Sequence, residues 1–254
     1  MKINKAALIL LFLAFSFLSN SQDTSTIVPS VEVNRVYPAF SVSTETLKEA
    51  HTLLDINPHY NPSWVRKYIS VEISTVNNGR MQKTLGTNDT LSQDQKDNIN
   101  TADPGTDISI NVKYIPENTL KNNEAKEFDF TLKVDPDSEA KFTGGKKQLI
   151  QYLREYAIDK IPEGSFTGFD LYAVKFTIDE EGQVIDAHIF WPSNNEKVDD
   201  LLLEAICNMP SWMPAKYANG LKVKQEFALT VGNMESCVIN LLNIRKNPPE
   251  ANNE

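Results

Sequence analysis

Apolar and polar positions alternate along several stretches of the chain and recur at three- and four-residue spacing along others. Strict alternation marks half-buried strands, and the longer period marks amphipathic helices. Residues 68–76 carry Ile69, Val71 and Ile73 on one face, and Asn77-Asn78-Gly79 then supplies a hairpin-type turn into a return strand over 80–85. Residues 107–115 alternate through Ile108, Ile110, Val112 and Tyr114, and 126–134 through Phe128, Phe130, Leu132 and Val134. Further strands are expected over 171–178, 184–191 and 221–231. Helical spacing predicts a helix over 44–54, with Leu47, Ala50, Leu53 and Leu54 on one stripe. Ser92 and Gln95 form a capping-box pattern that opens a short helix to about residue 101. Leu149, Tyr152, Leu153 and Tyr156 place a third helix over 146–159. Asn194 or Asn195 caps a fourth, with Val198, Leu201, Leu202, Ala205 and Ile206 facing inward. Asn57-Pro58, Asn61-Pro62, Asp103-Pro104-Gly105, Asp179-Glu180-Glu181-Gly182 and Asn219-Gly220 punctuate these elements.

The expected class is α+β. A β-rich N-terminal domain over 44–135 precedes a second domain over 141–240, with the linker at Asp135-Pro136-Asp137. The order helix, strand, strand, helix, strand in the second domain predicts an antiparallel sheet covered by helices on one face. Limited proteolysis is expected to release a fragment starting near Phe142.

Composition adds a compartment. Lys2 and Lys5 precede an apolar run over residues 6–18, and Ser19 and Ser21 offer small residues at a cleavage site. That is the layout of a secretory signal peptide, residues 1–21, cleaved after Ser21. The apolar run is shorter than the roughly 20 residues of a spanning helix. Polar residues then suggest a flexible lead-in over 22–43, and 246–254 reads as a disordered tail. The chain is expected to be exported to the periplasm, without membrane insertion after cleavage. Its formal charge is −9. An acidic surface repels phosphate backbones, which argues against nucleic acid as a partner. Cys207 and Cys237 make an even count in an oxidising compartment, so one disulfide and two buried thiols both stay open.

Catalytic signatures are not found. His51, His59 and His188 stand apart from one another at spacings that make no metal site. Gly164-Ser165 makes no nucleophile elbow, and Thr143-Gly144-Gly145 lacks the Walker pattern. The carboxylates Asp179, Glu180 and Glu181 read as a solvated turn. No enzymatic activity, cofactor or metal is expected.

An ordered set of motifs carries a resemblance. Residues 174–179 with Gly182-Gln183-Val184-Ile185-Asp186-Ala187, the helix 202–206, Met209-Pro210-Ser211-Trp212-Met213-Pro214-Ala215, and Asn219-Gly220-Leu221-Lys222-Val223 are similar to the TonB C-terminal domain family. Phe142-Thr143-Gly144-Gly145 resembles the opening common in Bacteroidota members. The likeness covers about residues 141–233. Its structural signature residues here are Gly182, Pro210, Trp212 and Pro214. Two departures stand upstream: Asp170-Leu171-Tyr172 replaces the usual glycine, and Ile161-Pro162 replaces a tyrosine-proline pair. Partner identity is therefore not carried over. Residues 90–114 are similar to the C-terminal region of the gliding-motility and secretion protein GldM.

The resemblance implies a periplasmic protein–protein interaction module, an adaptor in envelope transport or motility assemblies. Its partner would be an envelope protein such as an outer-membrane receptor or a secretion or motility component. The alternative is a sensory or regulatory ectodomain related to receptor-fused TonB-like domains. The family implies capture of a partner segment by strand addition, and strand 221–231 is the candidate edge. Leu221, Val223, Gln225, Phe227, Leu229 and Val231 would face the helices. Lys222, Lys224, Glu226, Ala228 and Thr230 would form the partner-binding face.

Overall fold

Turn chemistry and capping set most of the element boundaries. The computed structural model describes residues 29–119, 123–162, 165 and 171–232. The expected leader, Cys237 and the tail 246–254 lie outside the described residues. The first elements are β1 (Ser30–Arg35), β2 (Ser41–Val42), α1 (Thr44–Glu49), α2 (Leu53–Ile56), β3 (Val65–Asn77) and β4 (Arg80–Gly86). Then come α3 (Gln93–Asn100), β5 (Ile108–Pro116), β6 (Lys126–Val134), β7 (Lys141–Phe142) and α4 (Gly145–Tyr156). The chain continues through β8 (Leu171–Ile178), β9 (Val184–Trp191), α5 (Glu196–Cys207), β10 (Trp212–Met213), β11 (Ala215–Lys216), β12 (Lys222–Val223) and β13 (Gln225–Gly232). The architecture is mixed α+β with mostly antiparallel strands.

One unit is a five-stranded sheet in the order β2-β6-β5-β3-β4, antiparallel except for the β2–β6 pair. Its inward residues Val71, Ile73, Ile108, Ile110, Val112, Phe130 and Leu132 are buried against Leu47, Leu53, Ile56 and Ile99 from α1 to α3. Asn77↔Arg80 closes the β3–β4 hairpin, with Asn78 at φ +49° and Gly79 at φ +71°. Both residues then have the positive φ of a type I′ turn. The Asp103 carboxylate accepts from the Asn78 and Gly79 amides at 2.9 and 2.8 Å. Helix α3 is stitched to the sheet from below. Asn98 Nδ2 donates to the Ile73 carbonyl (3.2 Å) and to Thr84 Oγ1 (3.2 Å), and Gln95 Nε2 donates to the Val71 carbonyl (3.1 Å).

Three expectations for the chain up to β6 need correcting. The helix over 44–54 is broken, because Thr52 starts a new capping box with Asp55 and ends the first run. Leu54 is consequently exposed rather than part of the buried stripe. Ile69 is also exposed: a register shift between Tyr68 and Ser70 turns it out of phase with Val71 and packs Tyr68 inward. The lead-in is not flexible throughout, since residues 30–35 form β1.

The other unit is a four-stranded antiparallel sheet in the order β1-β13-β8-β9. Its inner face, with Tyr172, Val174, Phe176, Ile178, Phe227, Leu229 and Val231, is buried against Leu149 and Leu153 of α4 and Val198, Leu202 and Ile206 of α5. Burial removes these side chains from water at roughly 1.5–3 kcal/mol each. Strand β1 adds the partly buried Val31 and Val33 to that core. A second small cluster, Val36, Leu171, Ala173 and Ala228, lies on the opposite face. None of the helices among the described residues is long and apolar enough to cross a membrane.

The linker is clamped. Ser138 and Lys216 exchange two backbone hydrogen bonds of 3.0 and 2.9 Å, and Ala140 N donates to Gln225 Oε1 at 2.7 Å. Tyr217 Oη donates to the Val134 carbonyl at 2.7 Å. Arg35 pairs with Asp135 and, at 2.8 Å, with Glu139. Burial alone would lower the Arg35 pKa, but the Glu139 hydrogen bond and the Asp135 charge outweigh it and raise the pKa. The guanidinium therefore stays charged and ties β1 to the linker.

Candidate interaction surface

Strand β13 is not an edge. Its residues pair with β8 on one side, Gln225↔Ile178 through Gly232↔Leu171, and with β1 on the other, Ser30↔Gly232 through Arg35↔Phe227. The chain's own N-terminal segment occupies the place expected for a partner strand. The signal was present in the alternation of Val31 and Val33. Its long-range pairing was not, because sequence periodicity carries no information on which strand lies alongside which.

The five residues expected to bind a partner are correspondingly dispersed. The strand breaks at Lys224, so Lys222 belongs to β12 and pairs with Lys216 of β11. Lys222 and Lys224 are exposed. Glu226 lies 3.7 Å from Lys175 Nζ in an ion pair. Ala228 is 1% exposed, within the small outer cluster, and Thr230 is 1% exposed, with Oγ1 3.5 Å from the Glu32 carbonyl. A buried alanine and a buried threonine in an interior strand offer a partner no backbone edge. Gln225 is inward, as the alternation requires, and its polarity is used to hold Ala140 N.

The signature residues have structural placements. Trp212 is 5% exposed and packs edge-on against Phe142 (5.7 Å between centroids) and Phe176 (6.0 Å), and tilted against Phe227 (4.9 Å). Its indole N–H points to Met209 Sδ at 3.1 Å. Pro210 and Pro214 flank this plug. Gly182 stands at φ +82°, and a Cβ there would lie 2.0 Å from the Trp212 carbonyl oxygen. The Trp212 amide donates to the Gly182 carbonyl at 2.7 Å, so hairpin and plug are locked together.

Cys207 is a free thiol, exposed at the C-terminal end of α5. Gly232, the last described residue before Cys237, pairs with Leu171 at the start of β8.

The histidines are dispersed as well. His188 Nδ1 lies 2.9 Å from the Asp186 carbonyl, and His51 Nδ1 lies 2.8 Å from Lys96 Nζ. Among the described residues no group of three His, Cys, Asp or Glu side chains could hold a metal. Asp179 accepts from the Glu181 and Gln183 amides at 3.0 and 2.7 Å, which accounts for the acidic turn as a folded loop. Burial pushes the Tyr60 and Tyr172 phenols far above their ordinary pKa, so both remain neutral hydrogen-bonding groups. Tyr172 Oη donates to the Asp199 carbonyl at 3.2 Å. A cleft of about 380 Å³ opens where the two units meet, lined by Arg35, Asp107, Lys133, Asp135, Tyr217 and Glu226. Its charges are of both signs and several are already paired.

The open side of the sheet carries a feature that the alternation pattern did not reveal. Strand β9 is the edge opposite β1, and it carries Phe190 and Trp191 at 39% and 41% exposure. Lys175 Nζ sits 4.4 Å from the Phe190 ring centroid, in cation–π range. The signal that could have found them is two consecutive aromatics at a strand end, where only one can face the core. Compared with family models, curated proteins and solved structures, the chain matches none.

Proposed function

We propose that the chain is a non-enzymatic interaction module of the cell envelope, exported to the periplasm and of TonB C-terminal type, acting as an adaptor in transport or motility assemblies. Support comes from the strand and helix order of the second unit, in which α4, β8, β9, α5 and β13 form a one-sided helix-on-sheet layer. The motifs from Phe142 to Val223 occupy its turns, hairpin and plug. Partner recognition is assigned to the β9 side, because β13 is closed by β1. The observation that carries this is the exposed Phe190–Trp191 pair. Large aromatics half out of water at an open strand edge are the side chains that concentrate binding energy at protein interfaces.

The test is site-specific photo-cross-linking from position 190 in intact cells, followed by capture with purified full-length chain carrying Trp191→Ala. An envelope protein should cross-link, and the variant should lose its capture by at least about tenfold. A Trp64→Ala variant, altering an exposed aromatic on the other unit, should retain capture. Equal capture by the wild-type and Trp191→Ala chains would sink the assignment.

A further inference from the structure

The outer strands among the described residues differ in how regular an edge they present. Strand β2 is two residues long, and β1 ends at Arg35, which is tied to Asp135 and Glu139. Strand β9 has two register shifts against β8 and Asp186 at φ +53°, features that twist an edge away from pairing. Strand β4 differs. It is the outer strand of the five-stranded sheet and pairs with β3 over seven residues with no register shift. It exposes Met81 and Leu85 at 70% and 69%.

The hairpin settles which backbone groups of β4 are free. A two-residue loop is closed by a hydrogen-bonded pair, here Asn77↔Arg80, and such pairs recur at every second position. Arg80, Gln82, Thr84 and Gly86 therefore direct their amides and carbonyls at β3. Met81, Lys83 and Leu85 direct theirs outward. Those same residues place their side chains on the sheet face turned away from the helices.

We infer that β4 is a self-association edge, at which two copies of the chain pair antiparallel about a two-fold axis through Lys83. That register puts every outward-bonding residue opposite another. Lys83 meets Lys83 of the second copy, and Met81 meets Leu85 twice, giving about six backbone hydrogen bonds. The side chains match as well: Met81 packs on Leu85 on one face, and Gln82 lies opposite Thr84 on the other. The like charges at the axis are the objection to this pairing, and the sheet answers it. Each Lys83 Nζ is held 2.7 Å from Glu72 Oε1 of its own β3. The edge is also pre-organised, because Asp103 fixes its turn and Asn98 fixes Thr84. Seven residues of strand cover much less than the roughly 800 Å² per partner of a standard interface, so the dimer is weak and concentration-dependent. It joins two five-stranded sheets into one ten-stranded sheet and leaves both β9 edges free. The inference does not depend on the envelope partner proposed above.

Sedimentation equilibrium of the purified full chain from about 5 to 500 µM tests it, a range chosen for an interface below standard size. A monomer–dimer equilibrium is expected. Lys83→Pro removes the outward amide that donates across the axis, at an edge position where proline is tolerated. It should weaken the dimer at least tenfold. A Met81→Lys, Leu85→Lys chain guards against misfolding of the proline variant, since both positions are already exposed, and it should be monomeric. In a background lacking Cys207 and Cys237, a Lys83→Cys chain should oxidise to a covalent dimer, because hydrogen-bonded antiparallel pairs hold their Cα atoms about 5.5 Å apart. Lys113→Cys, on the same face but away from the axis, should not. A chain that stays monomeric throughout the range overturns the inference. So does a dimer that survives both the Lys83→Pro and the Met81→Lys, Leu85→Lys changes, or equal cross-linking at positions 83 and 113.

Discussion

The two sheets of this protein solve the same packing problem from different parts of the chain. The five-stranded sheet is built entirely within residues 41–134, with each long strand beside a sequence neighbour. The four-stranded sheet takes its first strand from residues 30–35 and the strand paired with it from 225–232, at opposite ends of the described chain. Both bury one face under helices. They differ in how much of the chain must be ordered before the sheet exists. Closing a long loop costs conformational entropy before the contacts it permits are made, so non-local pairing is the slower and more fragile step. The first unit should thus behave as an autonomous piece, while the second depends on a strand delivered from the far side of the first.

The most forceful way to break that comparison is to cut the chain in the linker. A fragment over 141–254 lacks β1, loses the partly buried Val31 and Val33, and bares the β13 edge. We expect it to be destabilised by about 3 kcal/mol or more relative to the same unit in the full chain. It should also aggregate or pair with itself. A synthetic peptide over 29–37 added in trans should restore it, and a fragment over 38–136 should fold alone. Chemical denaturation and sedimentation check both. A soluble, fully stable 141–254 fragment would mean that β1 is dispensable. A fragment beginning near Phe142 would lack β1, the strand paired with β13, and the same measurements test whether it stands alone.

The two hairpin glycines sharpen the comparison. Gly182 combines a positive φ with a Cβ position 2.0 Å from a backbone oxygen. Gly182→Ala should cost about 2–4 kcal/mol, because backbone has to move. Gly79 has the same handedness of φ but open space around it. Gly79→Ala should cost only about 1–2 kcal/mol, the conformational penalty alone. Thermal or denaturant melts of the two variants read the difference directly, and equal losses would show that the Trp212 plug yields easily.

Polar burial gives a third contrast. The first unit relies on Asn98, 4% exposed and bonded to Ile73, Thr75 and Thr84. Asn98→Ala removes those side-chain bonds and should cost about 1–3 kcal/mol. The loss should appear as faster amide exchange across β3 and β4, with β8 and β13 unaffected.

The smallest expected effect is on pH dependence. Amide hydrogen bonds from His51 and Thr52 hold the exposed Asp55 carboxyl below its ordinary pKa. The folded state thus favours the carboxylate. Its contribution is complete above the ordinary carboxylate pKa of about 4 and is lost as pH falls through the lowered folded value. Asp55→Asn should flatten that part of the acid-unfolding curve in the first unit alone, measured by melts from neutral pH downward.

What the amino-acid sequence determined by itself was local. The boundaries of β6, β8 and β9, the capping box at Ser92, the Asn78-Gly79 turn and the inward set Phe227, Leu229 and Val231 all follow from side-chain period, caps and turn residues, which act over a few positions. The breaks at Thr52 and Lys224 were missed because a second cap or a kink competes with periodicity on nearly equal terms. Tertiary structure alone decided the rest. It set β1 against β13, buried Ala228 and Thr230, and left Phe190, Trp191, Met81 and Leu85 exposed. Which strand neighbours which is fixed by the packing of whole faces and the closure of long loops. An alternating stretch looks the same at an edge and in the middle of a sheet, so only the assembled sheet distinguishes the two.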